Sequence, residues 1–161
     1  MIGKIVTGKS FGGAVRYLLG KEPGKAYILT SDGVELTSRQ ALIGSFEFQR
    51  RARPDVERVV GHISLSFHPD DDPRMSNRLM LDLAREYMQR MEITGTQYLV
   101  VRHTDTKHPH LHILYNRVRY DMTLVPDRNE RLRNMRICKE LKQVYGLTFS
   151  HGKEQVATER L

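Results

Sequence analysis

The sequence predicts an α+β fold in which a mainly antiparallel sheet carries helices on one face. Several short segments alternate apolar and polar residues, which is the period-two pattern of half-buried strands. Between them lie segments whose apolar residues recur at helical spacing. The last two strand segments are separated by a tight loop, and such hairpins mixed with single helices are typical of α+β domains. The 161 residues fit one domain that can bury a core without disulfide or metal.

The first half of the chain is predicted to alternate strand and helix. Ser10 can cap the first helix and Gly20 can end it. A second helix is expected to start at Thr37 or Ser38 and to run to about Ala52. The predicted elements are strands at MIGKIVTG and AYIL, and helices at KSFGGAVRYLLG and TSRQALIGSFEFQRRA.

The middle segment VERVVGHISLSFHP shows the clearest strand alternation. One predicted face carries Val59, Gly61, Ile63, Leu65 and Phe67, and the other carries Val60, His62, Ser64, Ser66 and His68. Because the second face is mostly polar, we expect a sheet surface that is left open. A turn at DDDPR then leads to a helix, NRLMLDLAREYMQRM, which Ser76 can cap.

The final third is predicted to be a hairpin followed by a helix. TQYLVVRH and HLHILYNRV are its strands, and the helix is expected from about Glu130 to Tyr145, with Gly146 beyond it. The predicted apolar stripe of this helix is Leu132, Met135, Cys138, Leu141 and Tyr145, and its basic face is Arg133, Arg136, Lys139 and Lys142. Residues 1–150 are expected to form the domain, and residues 151–161 a polar tail that starts a linker.

Composition favours a polyanionic partner in a reducing compartment. Lysine and arginine number 26 against 19 acidic residues, so the net charge is +7, which favours nucleic acid. The single cysteine, Cys138, rules out an internal disulfide. No signal-peptide pattern and no long apolar run is found, so a cytoplasmic location is expected.

Four of the seven histidines lie in HTDTKHPHLHILYN, residues 103–116. His110 and His112 are two residues apart on a predicted strand, so their side chains share a face. His103 ends the preceding strand, and the short loop would return the chain beside it. Three imidazoles would then converge, and imidazole is a common ligand for zinc, manganese, iron, nickel and copper. Asp105 can orient one imidazole through its other ring nitrogen.

Other interpretations of these histidines remain open on the residues alone. HPHLHIL also fits the pattern of histidine-triad nucleotide hydrolases, in which His110 would be a nucleophile and no metal would be needed. A non-catalytic module that binds single-stranded nucleic acid through its sheet is a second alternative. A polar hairpin with solvated histidines is the third.

Three motifs, in order, resemble those of conjugative relaxases, the MobA/VirD2-like plasmid mobilisation nucleases of the His-hydrophobic-His class. HTDTKHPHLHILYN resembles the third family motif, which runs His-x-Asp, a loop, His-x-His and then Asn. KSFGGAVRYLLGK resembles the first, whose helix carries a catalytic tyrosine, here Tyr17. GHISLSFHPDD resembles the second, a strand ending in Ser-Phe-x-Pro, and RNMRICKELKQVYGL is similar to the helix that usually follows.

The resemblance implies a five-stranded antiparallel sheet with flanking helices and an activity that nicks one strand of single-stranded DNA at an origin of transfer. It implies attack by Tyr17, a 5′-phosphotyrosine link and a divalent metal on His103, His110 and His112. Manganese or magnesium is expected from the family, and zinc or nickel can also bind such a site. The implied partners are origin-of-transfer DNA, an accessory mobilisation protein and a coupling protein, with the domain itself monomeric.

Further residues are candidates for the catalytic site or for DNA contacts. Asp105 is a candidate general base, although orienting a metal ligand is the favoured role. Tyr17 lies between Arg16 and Leu18 at the edge of an apolar helix face, with Lys21 nearby in sequence; a half-buried packing tyrosine is the alternative. The expected substrate contacts are Ser66, Asn116, Arg16 and Arg102, because hydroxyl, amide and guanidinium groups commonly bind phosphates.

Overall fold

The computed structural model describes residues 1–20, 23–104 and 107–149 of the chain. The strands are β1 (Ile2–Gly8), β2 (Ala26–Asp32), β3 (Val60–Ser66), β4 (Tyr98–His103) and β5 (His110–Asn116). The α-helices are α1 (Phe11–Leu19), α2 (Arg39–Arg50), α3 (Asn77–Arg90) and α4 (Glu130–Tyr145), and a 3₁₀ helix spans Pro69–Arg74. The tail at 151–161, and its predicted role as a linker, lie outside the described residues.

The five strands form one antiparallel sheet in the order β1-β3-β5-β4-β2. The predicted five-stranded antiparallel sheet with flanking helices is therefore confirmed. The histidine-bearing strand β5 lies at its centre, paired with β3 on one side and with β4 on the other. Because β4 and β5 form a hairpin, His103 is the direct partner of His110 in the register.

Helices cover both faces of the sheet, so the prediction that they lie on one face is wrong. α1 and α2 pack on the face that carries Leu99, Val101 and Leu114. α3 and α4 pack on the opposite face, which carries Ile63, Leu65, Val100, Leu111 and Ile113. The physical reason is that both faces of β5 are apolar: every residue from Leu111 to Asn116 is buried. A strand of this kind must be covered on both sides.

Three helices begin at the predicted hydroxyl caps. The side-chain oxygens of Ser10, Ser38 and Ser76 accept hydrogen bonds from backbone N–H groups in the first turns of α1, α2 and α3. Ser38 rather than Thr37 is thus the cap of α2. The segment DDDPR forms most of the 3₁₀ helix, and its buried Asp71 accepts bonds from the backbone and hydroxyl of Thr148.

The buried face of α4 differs from the prediction. Leu132 is 58% exposed and Met135 is 39% exposed, whereas Asn134 and Lys142 are buried. The cause is the close approach of α4 to β1, where the Asn134 amide donates to the carbonyl of Gly3 and accepts from the Tyr87 hydroxyl. A side chain at Gly3 would overlap Asn134, so glycine permits this contact.

Within the described part of the chain, no helix is both long and apolar enough to span a lipid bilayer.

Candidate metal centre

The hairpin brings three histidine side chains together on the sheet face that α1 covers. His103 and His112 are buried and His110 is half-buried. One ring nitrogen from each histidine lies within 4.8 Å of the others. The ring centroids are 4.4 Å apart for His103 and His112, 5.1 Å for His110 and His112, and 5.4 Å for His103 and His110. The strand period and the hairpin register together produce this convergence.

Hydrogen bonds to backbone carbonyls define the tautomers of two of these rings. His103 Nε2 lies 2.9 Å from the carbonyl oxygen of Leu18, and His110 Nδ1 lies 3.1 Å from that of His108. A carbonyl only accepts, so each of these nitrogens is the N–H donor. In a neutral ring, the lone pairs that a metal requires are then on His103 Nδ1 and His110 Nε2.

The third ring, His112, is hydrogen-bonded to another histidine. His62 Nε2 lies 2.8 Å from His112 Nδ1, which places the opposite nitrogen of His112, Nε2, as its ligand atom. Burial lowers the pKa of His62, and the nearby His103 lowers it further, so His62 is neutral at pH 7. The sequence assigns His62 to an open polar strand face, but it does not predict this contact. Its position on the same face as Ser64 and Ser66 was the one available signal.

The donor set fits a divalent metal ion. Three imidazoles, each with its second ring nitrogen in a hydrogen bond, form a common arrangement for metal-ligating histidines. Three protein ligands leave coordination positions for water or substrate, as a catalytic site requires. The residues that would hold the metal are therefore His103, His110 and His112.

Tyr17 lies on α1 beside this cluster and is 58% exposed. Its ring centroid is 6.0 Å from that of His112 and 5.9 Å from that of His62. An open groove of about 320 Å³ is bordered by Tyr17, both of these histidines, and Lys4 and Ser64 from the neighbouring strands. The alternative of a half-buried packing tyrosine does not describe this side chain, because most of it faces solvent.

Residues 17–147 match the relaxase family described as MobA/VirD2-like, nuclease domain. The protein belongs to this family. The match begins at Tyr17 and includes all three clustered histidines, and the resemblance stated from the motifs is confirmed. Family membership gives no support to a histidine-triad nucleotide hydrolase.

A solved relaxase has the same fold. The relaxase domain of MobM, determined as a manganese-bound crystal structure with 22 nucleotides of pMV158 oriT DNA, superimposes with a TM-score of 0.62 at 12% identity. The superposition covers 96% of this chain and 92% of that one. None of the curated proteins matches the sequence.

In the present protein, only some of the other predicted site residues lie near the three histidines. Ser66 is the register partner of His110 on the same face, and Arg16 is exposed beside Tyr17. Arg102 lies on the opposite face of the sheet, where it donates to the Asn77 side chain. Asn116 is fully buried, and its amide donates to the Phe46 carbonyl and the Gln97 side chain. Asp105 and Lys21 lie outside the described residues.

Proposed function

We propose that this relaxase domain is a metal-dependent, site- and strand-specific DNA endonuclease. It nicks single-stranded origin-of-transfer DNA by attack of Tyr17 and thereby initiates plasmid or transposon mobilisation in the bacterial cytoplasm. The observation that carries the proposal is the exposed side chain of Tyr17 beside three converging histidines. The proposed nucleophile and one histidine of the candidate metal centre, His112, border the same open groove.

The charge and the solved neighbour support DNA as the substrate. The net charge of +7 favours a polyanion. The MobM relaxase domain was crystallised with oriT DNA and manganese, and we extend both ligands to this chain as part of the proposal. Manganese or magnesium is the metal we propose, with zinc or nickel as further ions that three imidazoles can bind. An accessory mobilisation protein and a coupling protein are proposed partners of a monomeric domain.

The chemistry is an exchange of one phosphodiester bond for another. The Tyr17 oxygen attacks the phosphorus, the bond from phosphorus to the 3′ oxygen breaks, and the 5′ end remains on the tyrosine. The phenol proton leaves during the attack, and the departing 3′ oxygen takes up a proton. Because one phosphoester replaces another, the step can reverse and rejoin the strand without a nucleotide cofactor.

Side chains of the protein would position the DNA and the nucleophile for this reaction. A bound divalent ion stabilises the charge that grows on the nonbridging phosphate oxygens. Arg16 provides positive charge beside the nucleophile, and Ser66 is proposed to contact the DNA backbone. Asp105 keeps its predicted role as an orienting carboxylate or as the base for a phenol whose ordinary pKa is about 10. Asn116 and Arg102 are omitted from the proposed site because their side chains are bound elsewhere in the fold.

A covalent-adduct assay tests the proposal even when the recognised DNA sequence is not known. The protein is incubated with manganese and a library of labelled single strands that includes random sequences and candidate origin-of-transfer sequences. The expected product is a DNA–protein adduct that survives detergent and maps to Tyr17 by peptide mass spectrometry. Sequencing the attached strand would identify the nick site.

Tyr17→Phe is expected to abolish the adduct while leaving DNA and manganese binding intact. Tyr27→Phe is the matched control, because Tyr27 is also exposed, at 46%, but it is the register partner of Arg102 and so lies on the sheet face opposite the histidines. Adduct that persists in Tyr17→Phe would remove Tyr17 from the mechanism. Salt-sensitive DNA binding without cleavage under any metal would favour a binding module instead.

A further inference from the structure

We infer that His62 is a positioning residue, which holds the imidazole of His112 in the tautomer and orientation that bind metal. The inference rests on the metal site of the proposed function, and it extends that site by one residue on a different strand. The observation behind it is the pairing of the two rings, 2.8 Å from His62 Nε2 to His112 Nδ1.

The strand order explains why these rings meet. β3 lies directly beside β5, and Ser64 is the register partner of His112. His62 is two residues before Ser64, so it occupies the diagonal position on the same face, within reach of a long side chain. The ring centroids are 5.0 Å apart and the rings are inclined by 51°, which fits an in-plane contact between nitrogens rather than stacking.

The direction of this hydrogen bond follows from ligand chemistry. A neutral imidazole that gives its Nε2 lone pair to a metal carries its proton on Nδ1. His112 Nδ1 must then donate, and the lone pair on His62 Nε2 accepts. When His62 carries its own proton on Nδ1, its Nε2 accepts, and the ligand tautomer of His112 is stabilised before any metal arrives. Without an acceptor there, the proton can move to Nε2 and occupy the ligand atom.

His62 differs in kind from the groups that orient the other two ligands. His103 and His110 donate to the backbone carbonyls of Leu18 and His108, which no substitution removes. His112 is oriented by a side chain, so its orientation can be tested by mutation. The ring of His62 also lies close to the proposed nucleophile, with its centroid 5.9 Å from that of Tyr17.

Two substitutions separate the hydrogen bond from the bulk of the side chain. His62→Leu fills similar space without an acceptor, and we expect it to weaken manganese binding about 10- to 100-fold in a calorimetric titration. His62→Gln retains an acceptor oxygen and is expected to restore most of the affinity. His68→Leu is the control for loss of a histidine, because His68 follows the other end of β3 and instead accepts from the Asp70 backbone.

Nitrogen-15 NMR of the metal-free protein supplies a readout that does not depend on metal or activity. The ring of His112 is expected as the Nδ1–H tautomer in the wild type and in His62→Gln, and as a mixture or the Nε2–H tautomer in His62→Leu. Unchanged tautomer and unchanged manganese affinity in a folded His62→Leu variant would overturn the inference. If the wild type forms no DNA adduct, the proposed function fails, while the tautomer result still decides the role of His62.

Discussion

His103 and His110 are predicted to contribute equally to metal binding but unequally to stability. Each would supply one of three ligand nitrogens, so either alanine substitution should abolish measurable manganese binding. Their surroundings differ, because His103 is 2% exposed and bonded to the Leu18 carbonyl, whereas His110 is half-buried at the hairpin end. The two alanine variants should therefore differ in stability when no metal is bound.

The size of the difference follows from these surroundings. His103→Ala removes the donor to a buried carbonyl and leaves a cavity, which together cost roughly 2–4 kcal/mol in the free energy of unfolding. For a chain of this length, each kcal/mol lost from the free energy of unfolding lowers the thermal unfolding midpoint by about 2–4 °C. The midpoint of His103→Ala should therefore fall by roughly 5–15 °C. His110→Ala should cost no more than about 0.5 kcal/mol, or about 2 °C.

Thermal unfolding followed by circular dichroism, in a chelator at pH 7.5, measures the stability difference. Calorimetric titration with manganese below the midpoint measures metal binding by the same proteins. Equal midpoints for the two variants would refute the reasoning from burial. Wild-type manganese affinity in folded His110→Ala would refute the assignment of that ring as a ligand.

The remaining predictions concern one thiol and one arginine. Burial raises the pKa of the Cys138 thiol to about 11. The native protein should therefore not react with dithionitrobenzoate at about pH 8, whereas the protein unfolded in urea should react fully. Prompt labelling of the native protein would contradict this prediction. Arg102→Ala removes a side chain on the sheet face opposite the histidines, so adduct formation should stay within about twofold of wild type. A tenfold loss of adduct in Arg102→Ala would indicate that Arg102 does contribute to the site.

The histidine cluster could be predicted from sequence because it depends only on local geometry. A strand period of two places His110 and His112 on one face, and a short hairpin loop returns β5 beside His103. The same alternation carries a signal that excludes Arg102. It is the neighbour of His103 on β4, so its side chain must point to the other face.

The features that sequence reasoning missed depend on packing between distant segments. Nothing local indicates that β3 lies between β1 and β5, and the contact of His62 with His112 exists only in that order. The rotation of α4 likewise depends on β1, because Asn134 reaches Gly3 from more than a hundred residues away in the chain. Side-chain polarity alone therefore leaves Asn134 out of the predicted buried face of its helix.

In the proposed site, one hydrogen bond joins the metal centre to the helix that carries the nucleophile. His103 Nε2 donates to the carbonyl of Leu18, the residue after Tyr17, in the last turn of α1. Carbonyls at a helix C-terminus have no partner within the helix, so this donor satisfies a group that needs one. A cation bound at His103 Nδ1 polarises the Nε2–H group and strengthens its bond to Leu18. If His103 is a metal ligand, metal loading and the placement of Tyr17 would therefore be coupled through this single imidazole.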